Sequence, residues 1–554
     1  MLLAIGESRW QSVPMPSAVD ITKLSESEVR QLAAQMQSTI QQLQTERDAQ
    51  LHERDTAIQQ LEVERDTQLQ ERDAAIQRLT IEKERLTHEI AILRRHRFGK
   101  RSEQGKSPQQ SLLSDLVDED LAAIENELEM LEPPVAKERQ RSKPRRQPLP
   151  PQLPRTEIHH DPDSTTCGCG CKLTRIGEDV SEKLDYEPGS FSVERHIRSK
   201  WACKACETVV QAPVAPHIIE KGIPTTNLLA QVLISKYADH LPLYRQEQIY
   251  ARAGVELPRS TLADWVGRCG VELTPLVDRL RSCLLGHAVL HADETPVPML
   301  SPGNKKTHRA YIWAYATPRT DERQAVVYDF QPTRSGKACR DFLEDWQGQL
   351  VCDDYSGYKA GFAKGLTEVG CWAHARRKFF ELAERGNSPI ADQALVIIGK
   401  LYEVERDIQE KPPDERQRVR ESLSRPIIEH LRKWLVHQRS GLTDGTRTTK
   451  AMDYSLKRWE ALTRYLDDGA VPIDNNWIEN QVRPWALGRK NWLFAGSLRS
   501  GQRAANVMSL IQSAKINGID PQAYLHDVLE RLPTLMYSDI DTLLPHNWSS
   551  SIKV

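Results

Sequence analysis

Val289-Leu290-His291-Ala292-Asp293 is the stretch from which the fold is read: an apolar, β-suited run closed by a carboxylate. Downstream, 309–316 and 324–330 carry strand patterns rich in Tyr, Trp, Ile and Val, and 336–346 has a helical pattern. Gln349-Leu350-Val351-Cys352-Asp353 is then a fourth strand, again closed by a carboxylate. Three strands, a helix and a strand predict a mixed sheet with acids at neighbouring strand ends.

A third acid lies in Pro472-Ile473-Asp474-Asn475-Asn476-Trp477-Ile478-Glu479-Asn480, where Glu479 falls on the first turn of a helix. Its structural alternative is specific: Asn476 as N-cap with Glu479 three residues on, a capping-box pair. The functional reading brings Asp293, Asp353 and Glu479 together on a ribonuclease-H-like α/β core. Mg²⁺ takes hard oxygen ligands and keeps several waters, so few carboxylates suffice to hold two ions, with Mn²⁺ as a substitute. Such a pair drives in-line phosphoryl displacement. Past Glu479, Arg483, Arg489, Lys490, Arg499 and Arg503 mingle with Trp485, Trp492 and Phe494. The aromatics are expected mainly in the core and the cations mainly against DNA phosphates.

A chain of 554 residues exceeds a single core, so several domains are expected. The formal net charge of −2 excludes a globally basic binder and leaves DNA contact to local patches. No apolar run reaches membrane-spanning length, and Met1-Leu2-Leu3-Ala4-Ile5 is too short for a signal-peptide core. A cytoplasmic, nucleoid-associated protein of bacterial type is expected, with no membrane partner. Its ten cysteines are then reduced thiols or metal ligands.

From residue 26 to 97 there is neither proline nor glycine. Gln42-Leu43-Gln44-Thr45-Glu46-Arg47-Asp48 recurs as Gln60-Leu61-Glu62-Val63-Glu64-Arg65-Asp66. That offset is close to five helical turns, so one apolar stripe returns to the same side. The stripe predicts a long helix that self-associates as a coiled coil; a solvated single helix is the alternative. Arg94, Arg95, Arg97, Lys100 and Arg101 close it, either facing phosphates or complementing the helix C-terminus. An acidic segment and then a Pro/Arg-rich one read as linker. Cys167-Gly168-Cys169-Gly170-Cys171 and Cys203-Lys204-Ala205-Cys206 predict structural Zn²⁺, with two of Cys167, Cys169 and Cys171 joining Cys203 and Cys206. Around Gly254 and Pro258, a turn and a helix beginning near Ser260 read as a helix-turn-helix-like module.

Several of these stretches closely resemble the IS66-family insertion-sequence transposases. They are residues 290–298, Cys352-Asp353-Asp354-Tyr355-Ser356-Gly357-Tyr358, Gly370-Cys371-Trp372-Ala373-His374-Ala375-Arg376-Arg377-Lys378-Phe379, residues 474–497, Arg97-Phe98-Gly99-Lys100-Arg101-Ser102-Glu103, Ser235-Lys236-Tyr237-Ala238-Asp239-His240-Leu241-Pro242-Leu243-Tyr244 and the cysteine clusters. The resemblance spans Arg94 to the end; the N-terminal repeat lies outside it. It implies a DDE transposase that cleaves its element's ends and joins 3′ ends to target DNA, with Asp293, Asp353 and Glu479 as the acids and Mg²⁺ as cofactor. Double-stranded DNA is the implied partner, beside further copies of the chain and helper proteins of the same element. The family often shows Asp-Gly-Tyr where this chain has Asp353-Asp354-Tyr355, which leaves either carboxylate open as the second acid; Glu294 stands similarly beside Asp293. His374 is a candidate for polarising a phosphate or ordering the site, with a structural histidine as the alternative. A non-catalytic DNA-binding scaffold and a plain nuclease are the competing functions.

The expected domains are a coiled-coil helix with a basic end (1–105), an acidic then Pro/Arg-rich linker (106–155), a zinc module (156–215) and the helix-turn-helix-like module (216–275). A catalytic core with a helical insertion at about 375–464 (276–500) and a helical tail (501–554) follow.

Overall fold

The computed structural model describes residues 25–98, 108–131, 149–187, 189–214, 216–219, 222–300, 307–384, 386, 388–492 and 495–550. Residues 1–85 and 86–554 are two compact units. Within the first, the chain is helical from Glu26, as the absence of helix breakers predicts, and Ile40, Leu43, Leu51, Ile58, Leu61, Leu69 and Ile76 of the repeat are all exposed.

In the second unit, β1 (Arg155–His160), β2 (Thr174–Glu187), β3 (Ser190–Ala202) and β4 (Val209–Gln211) form one sheet, in which β2 and β4 pair antiparallel with β3 and β1 parallel. The other sheet contains β5 (Val289–Leu300), β6 (Thr307–Ala316), β7 (Val326–Gln331), β8 (Gln349–Cys352) and β9 (Thr367–Gly370), in the order β7-β6-β5-β8-β9. β7, β6 and β5 are antiparallel neighbours, while β8 and β9 run parallel to β5. This is the mixed sheet the strand patterns predict, with one difference. β5 does not stop at Asp293 but continues to Leu300 alongside β6; only its pairing with β8 ends, at His291 and Val351. Pro296 and Pro298 fall in this extension, where β8 no longer needs a donor from β5.

Side chains alternate across the sheet. Leu290, Leu350 and Cys352 face one core, and Val289, Val351 and Val369 face another. The first core runs without a break from Leu184 and Phe191 of the β2–β3 hairpin, through the helices Thr226–Tyr237 and Arg259–Glu272, to Leu510 and Leu525 near the C-terminus. The zinc module, helical module, catalytic core and tail, read as separate domains, therefore share one interior. The second core belongs to the insertion, whose helices Trp372–Glu384, Pro389–Asp407, Arg425–Ser440 and Arg447–Lys457 pack on the opposite face. Strand β7, at the sheet edge, is covered by the helix Leu498–Ile516: the Ser513 and Ser509 hydroxyls accept from the Val326 and Tyr328 amides, each at 2.9 Å.

The acidic stretch expected as linker is instead the helix Pro108–Leu131, with Ala123 and Ile124 fully buried. It lies so close to the helix Arg259–Glu272 that a Cβ on Gly267 would stand 2.5 Å from the Glu119 carbonyl oxygen. Its apolar residues supply the reason, since a helix with a hydrophobic stripe gains by burying it. The side chains of Arg94, Arg95, Arg97, Lys100 and Arg101, and the segment containing Arg139, Arg141, Lys143, Arg145 and Arg146, lie outside the described residues.

Candidate active site

Asp293 and Asp353 follow the last paired residues of two adjacent parallel strands, His291 on β5 and Val351 on β8, and so stand side by side at the same level. Glu479 lies on the first turn of the helix Asn476–Trp492, and its charge acts on Asp293 more weakly than those of Glu294 and Asp353. Asn475, buried just before that helix, donates from Nδ2 to the Ala292 carbonyl (2.9 Å) and accepts at Oδ1 from Nδ1 of His291 (2.7 Å). Burial drives the His291 imidazole down to about 4, so it is neutral and serves as a donor. Asn475 and His291 thus lock the strand of the first acid to the helix of the third. Both stood in quoted motifs, but a buried amide–imidazole pair across 184 residues has no local signature.

The charge pattern separates the doubled acids. Glu294 has both oxygens engaged, by Arg334 Nε at 2.9 Å and by the Tyr358 hydroxyl at 2.6 Å. The Arg334 guanidinium lies 3.8 Å over the Tyr355 ring, and the Tyr355 amide donates to Asp353 Oδ1 at 2.9 Å. Asp354 turns to cations, with Lys359 and Arg458 each 3.7 Å away. For Asp293 the one opposing influence given by its surroundings among the described residues is the Glu294 backbone amide. Burial, then the charges of Glu294 and Asp353 and, more weakly, Glu479, push its carboxyl up to about 8. Such an acid holds its proton at neutral pH, and a cation beside it would favour the ionised form.

The capping-box alternative for Glu479 does not hold. Asn476 is the first helical residue, and its amide and side chain bond to Asp474 instead. Glu479 faces the insertion: Oε2 is 3.4 Å from Arg377 and Oε1 is 3.8 Å from His374 Nδ1. Arg377, Arg334 and Arg458, around the acids, carried no assigned role in the sequence reading, because nothing local told them from the chain's other cations.

The basic candidates divide. Arg483 and Lys490 are exposed. Arg489 instead ties its helix to β5 through the Pro296 carbonyl, at 2.5 Å. Arg499 and Arg503, expected to face DNA, are paired inside the protein, Arg499 with Glu89 and Glu127 and Arg503 with Asp120. Arg503 is 5% exposed. These partners come from the acidic helix and the chain just before it. Trp485 is in the core and Trp492 packs against it, as expected, while Phe494 lies outside the described residues.

At the cysteines, Cys167, Cys169, Cys203 and Cys206 bring their sulfurs within 4.8 Å of one another, and Cys171 is left out. The Cys167–Cys206 and Cys169–Cys203 separations are 3.2 and 3.7 Å. Tetrahedral zinc at 2.3 Å per sulfur requires about 3.8 Å. Gly170, at a φ of 85°, makes the tight turn that lets the Cys167 amide reach the Cys171 carbonyl. The Cys206 thiol is held below its ordinary value, by the Thr208 hydroxyl first and then by Cys167, whose own thiol is raised in part by Cys206. The donor set fits structural zinc. Cys171→Ser should therefore keep one zinc per chain and Cys203→Ser should lose it, read by metal analysis of the purified protein.

Between the helices Leu243–Arg252 and Arg259–Glu272 the chain turns at Gly254, and the second helix begins at Arg259, one residue before the expected start. That helix is covered on one side by Pro108–Leu131 and buries Leu262, Trp265 and Val266 in the main core.

Residues 221–503 match the transposase IS66 family, residues 164–207 the zinc-finger binding domain of transposase IS66, residues 85–158 the family described as Transposase C of IS166 homeodomain, and residues 509–546 the IS66 C-terminal element. Among curated relatives, the uncharacterized protein y4jD of Sinorhizobium fredii (strain NBRC 101917 / NGR234) is 38% identical over 73% of this chain and 82% of its own length. The uncharacterized protein y4qI of the same organism is 36% identical over 84% of this chain and 88% of its own. Matches that run in order through the zinc site, the acids and the C-terminal helices make this chain a member of the IS66 transposase family.

Proposed function

We propose that this protein cleaves the ends of its insertion sequence and joins the 3′ ends to target DNA by metal-dependent phosphoryl transfer on a ribonuclease-H-like core. The observation that carries the reading is that Asp293 and Asp353 come just past the paired ends of adjacent parallel strands, with the helix of Glu479 locked to β5 through Asn475. The donor types suit divalent cations: the carboxylates are hard oxygen ligands, the side-chain charges acting on Asp293 are all acidic, and Glu479 Oε1 is buried with no hydrogen-bond partner among the described residues. When bound, Mg²⁺ or Mn²⁺ supplies activation of a water or 3′-hydroxyl and stabilisation of the leaving oxygen. Asp293, Asp353 and Glu479 hold the ions. Arg377 and Arg334, at the rim, orient the scissile phosphate, and the exposed Arg483 and Lys490 take neighbouring phosphates.

The exposed stripe of the N-terminal helix pairs copies of the chain, as a synapse of two DNA ends requires. Helper proteins of the same element and a nucleoid location belong to the same proposal. Among the described residues no helix is long and apolar enough to cross a membrane.

Processing of the element's own ends in Mg²⁺ tests the reading. Asp353→Ala should lose strand cleavage by on the order of a thousandfold, whereas Asp354→Ala, whose carboxylate pairs with Lys359 and Arg458, should lose less than about tenfold. End binding, measured by gel shift, should survive in both. Equal cleavage by wild type and Asp353→Ala would overturn the three-acid site, and no cleavage by wild type would leave only the scaffold function. Cutting without joining would leave the nuclease.

A further inference from the structure

The contact between His374 and Glu479 is built rigidly from both sides. The Trp372 amide, at the start of the helix Trp372–Glu384, donates to the Ile473 carbonyl at 3.1 Å. The Asn475 amide donates to the buried Cys371 sulfur at 3.2 Å. These bonds clamp the start of one helix against the approach to the other, so His374 and Glu479, each on a first turn, are held face to face. Nδ1 of His374 and Oε1 of Glu479 are both shut off from solvent, and among the described residues neither has a hydrogen-bond partner. Their separation of 3.8 Å is too long for a hydrogen bond. It does suit two ligands of one ion, since donors each about 2.1 Å from a metal stand roughly 3.0 to 4.2 Å apart. The other oxygen of Glu479 is engaged by Arg377, which leaves Oε1 as the donor available to an ion. The two side chains are 23% and 31% exposed, through atoms other than these two donors.

We propose that His374 Nδ1 and Glu479 Oε1 ligate the same divalent cation, making this position of the site an N,O donor pair rather than an all-carboxylate one. The inference rests on the metal-dependent reading above. An imidazole donor favours Mn²⁺ over Mg²⁺, because nitrogen binds the later, softer ion better. His374 would therefore be a metal ligand, beyond polarising a phosphate or ordering the fold.

The test uses the full-length, zinc-loaded protein with Mn²⁺ as probe, followed by electron paramagnetic resonance and its nitrogen-resolved echo modulation. Wild type should show modulation from a bound imidazole nitrogen, and protein grown on ¹⁵N-histidine should change that pattern without any substitution. His374→Gln should abolish the nitrogen signal and weaken Mn²⁺ binding by about tenfold or more, with a smaller effect on Mg²⁺ measured by competition. Mn²⁺ binding that is lost in Asp293→Asn but carries no histidine nitrogen, or whose nitrogen signal survives His374→Gln, would overturn this inference and leave the proposed function standing. Mn²⁺ binding indifferent to Asp293→Asn would overturn both.

Discussion

Asp293→Asn is expected to abolish strand cleavage and, in the same protein, to raise stability when no divalent cation is present. The carboxyl is pushed up to about 8 by burial and by its acidic neighbours. An unfolded aspartate titrates near 3.9, so between about pH 4 and pH 8 the folded chain holds a proton that the unfolded chain has released. Stability from this group is therefore fully present below the unfolded value and is lost as pH rises through the folded one. The side chain retains some solvent contact, which tempers the cost. Asparagine, which never charges, should recover about 2 kcal/mol at pH 8 and flatten the dependence of the melting temperature on pH. Mg²⁺ should stabilise wild type at pH 8 and leave Asp293→Asn nearly unmoved. Cleavage should fall by on the order of a thousandfold or more. Thermal melts at pH 5 and pH 8, with and without Mg²⁺, read the stability arm. A variant less stable than wild type at pH 8 without metal would contradict the electrostatic account of the site.

Arg420→Met should be among the most destabilising single changes in the insertion. A helix from Pro413 passes through one π turn, Arg420–Ser424, into Arg425–Ser440, and the arginine at that turn is wholly buried. Its guanidinium holds Glu405 with two bonds, at 2.8 and 2.7 Å, and donates to the carbonyls of Tyr465, Asp468 and Val471. Removing it leaves a buried carboxylate and three carbonyls without their donor, a loss of about 3–5 kcal/mol. The carbonyl segment leads directly into the clamp at Ile473 and Asn475, so cleavage should fall as well, through misplacement of Glu479. The double variant Arg420→Met, Glu405→Met should be less destabilised than Arg420→Met alone, since neither buried charge then remains. Urea unfolding of the single and double variants measures this; a single variant within about 1 kcal/mol of wild type would show that water replaces the guanidinium.

Much of the architecture was legible because it is locally encoded. The strand at Leu290 is a run of buried apolar residues, the N-terminal helix lacks breakers for some seventy residues, and Cys203 and Cys206 have the spacing of a zinc knuckle. These features depend on backbone preference and side-chain period, which neighbouring residues determine among themselves. Chemistry and resemblance named the candidate acids but did not rank them. Asp353 and Asp354 are adjacent and alike, and only Lys359, Arg458 and the position of β8 tell them apart.

Pairing between distant segments was decided by the tertiary structure alone. Arg503 has the composition and context of a DNA-facing cation, yet its partner Asp120 stands 383 residues earlier, on a helix that composition assigned to a linker. Which two of Cys167, Cys169 and Cys171 join the zinc cluster likewise depends on how the β2–β3 hairpin brings Cys203 and Cys206 back to them. An amino-acid sequence by itself determined what each segment of this protein is able to become, because local sterics and hydrophobic period act within a few residues. Charges and hydrogen-bonding groups act on whatever lies within a few ångströms, and for Asp293, Glu479, Arg503 and His374 those neighbours include residues from segments far apart in the chain.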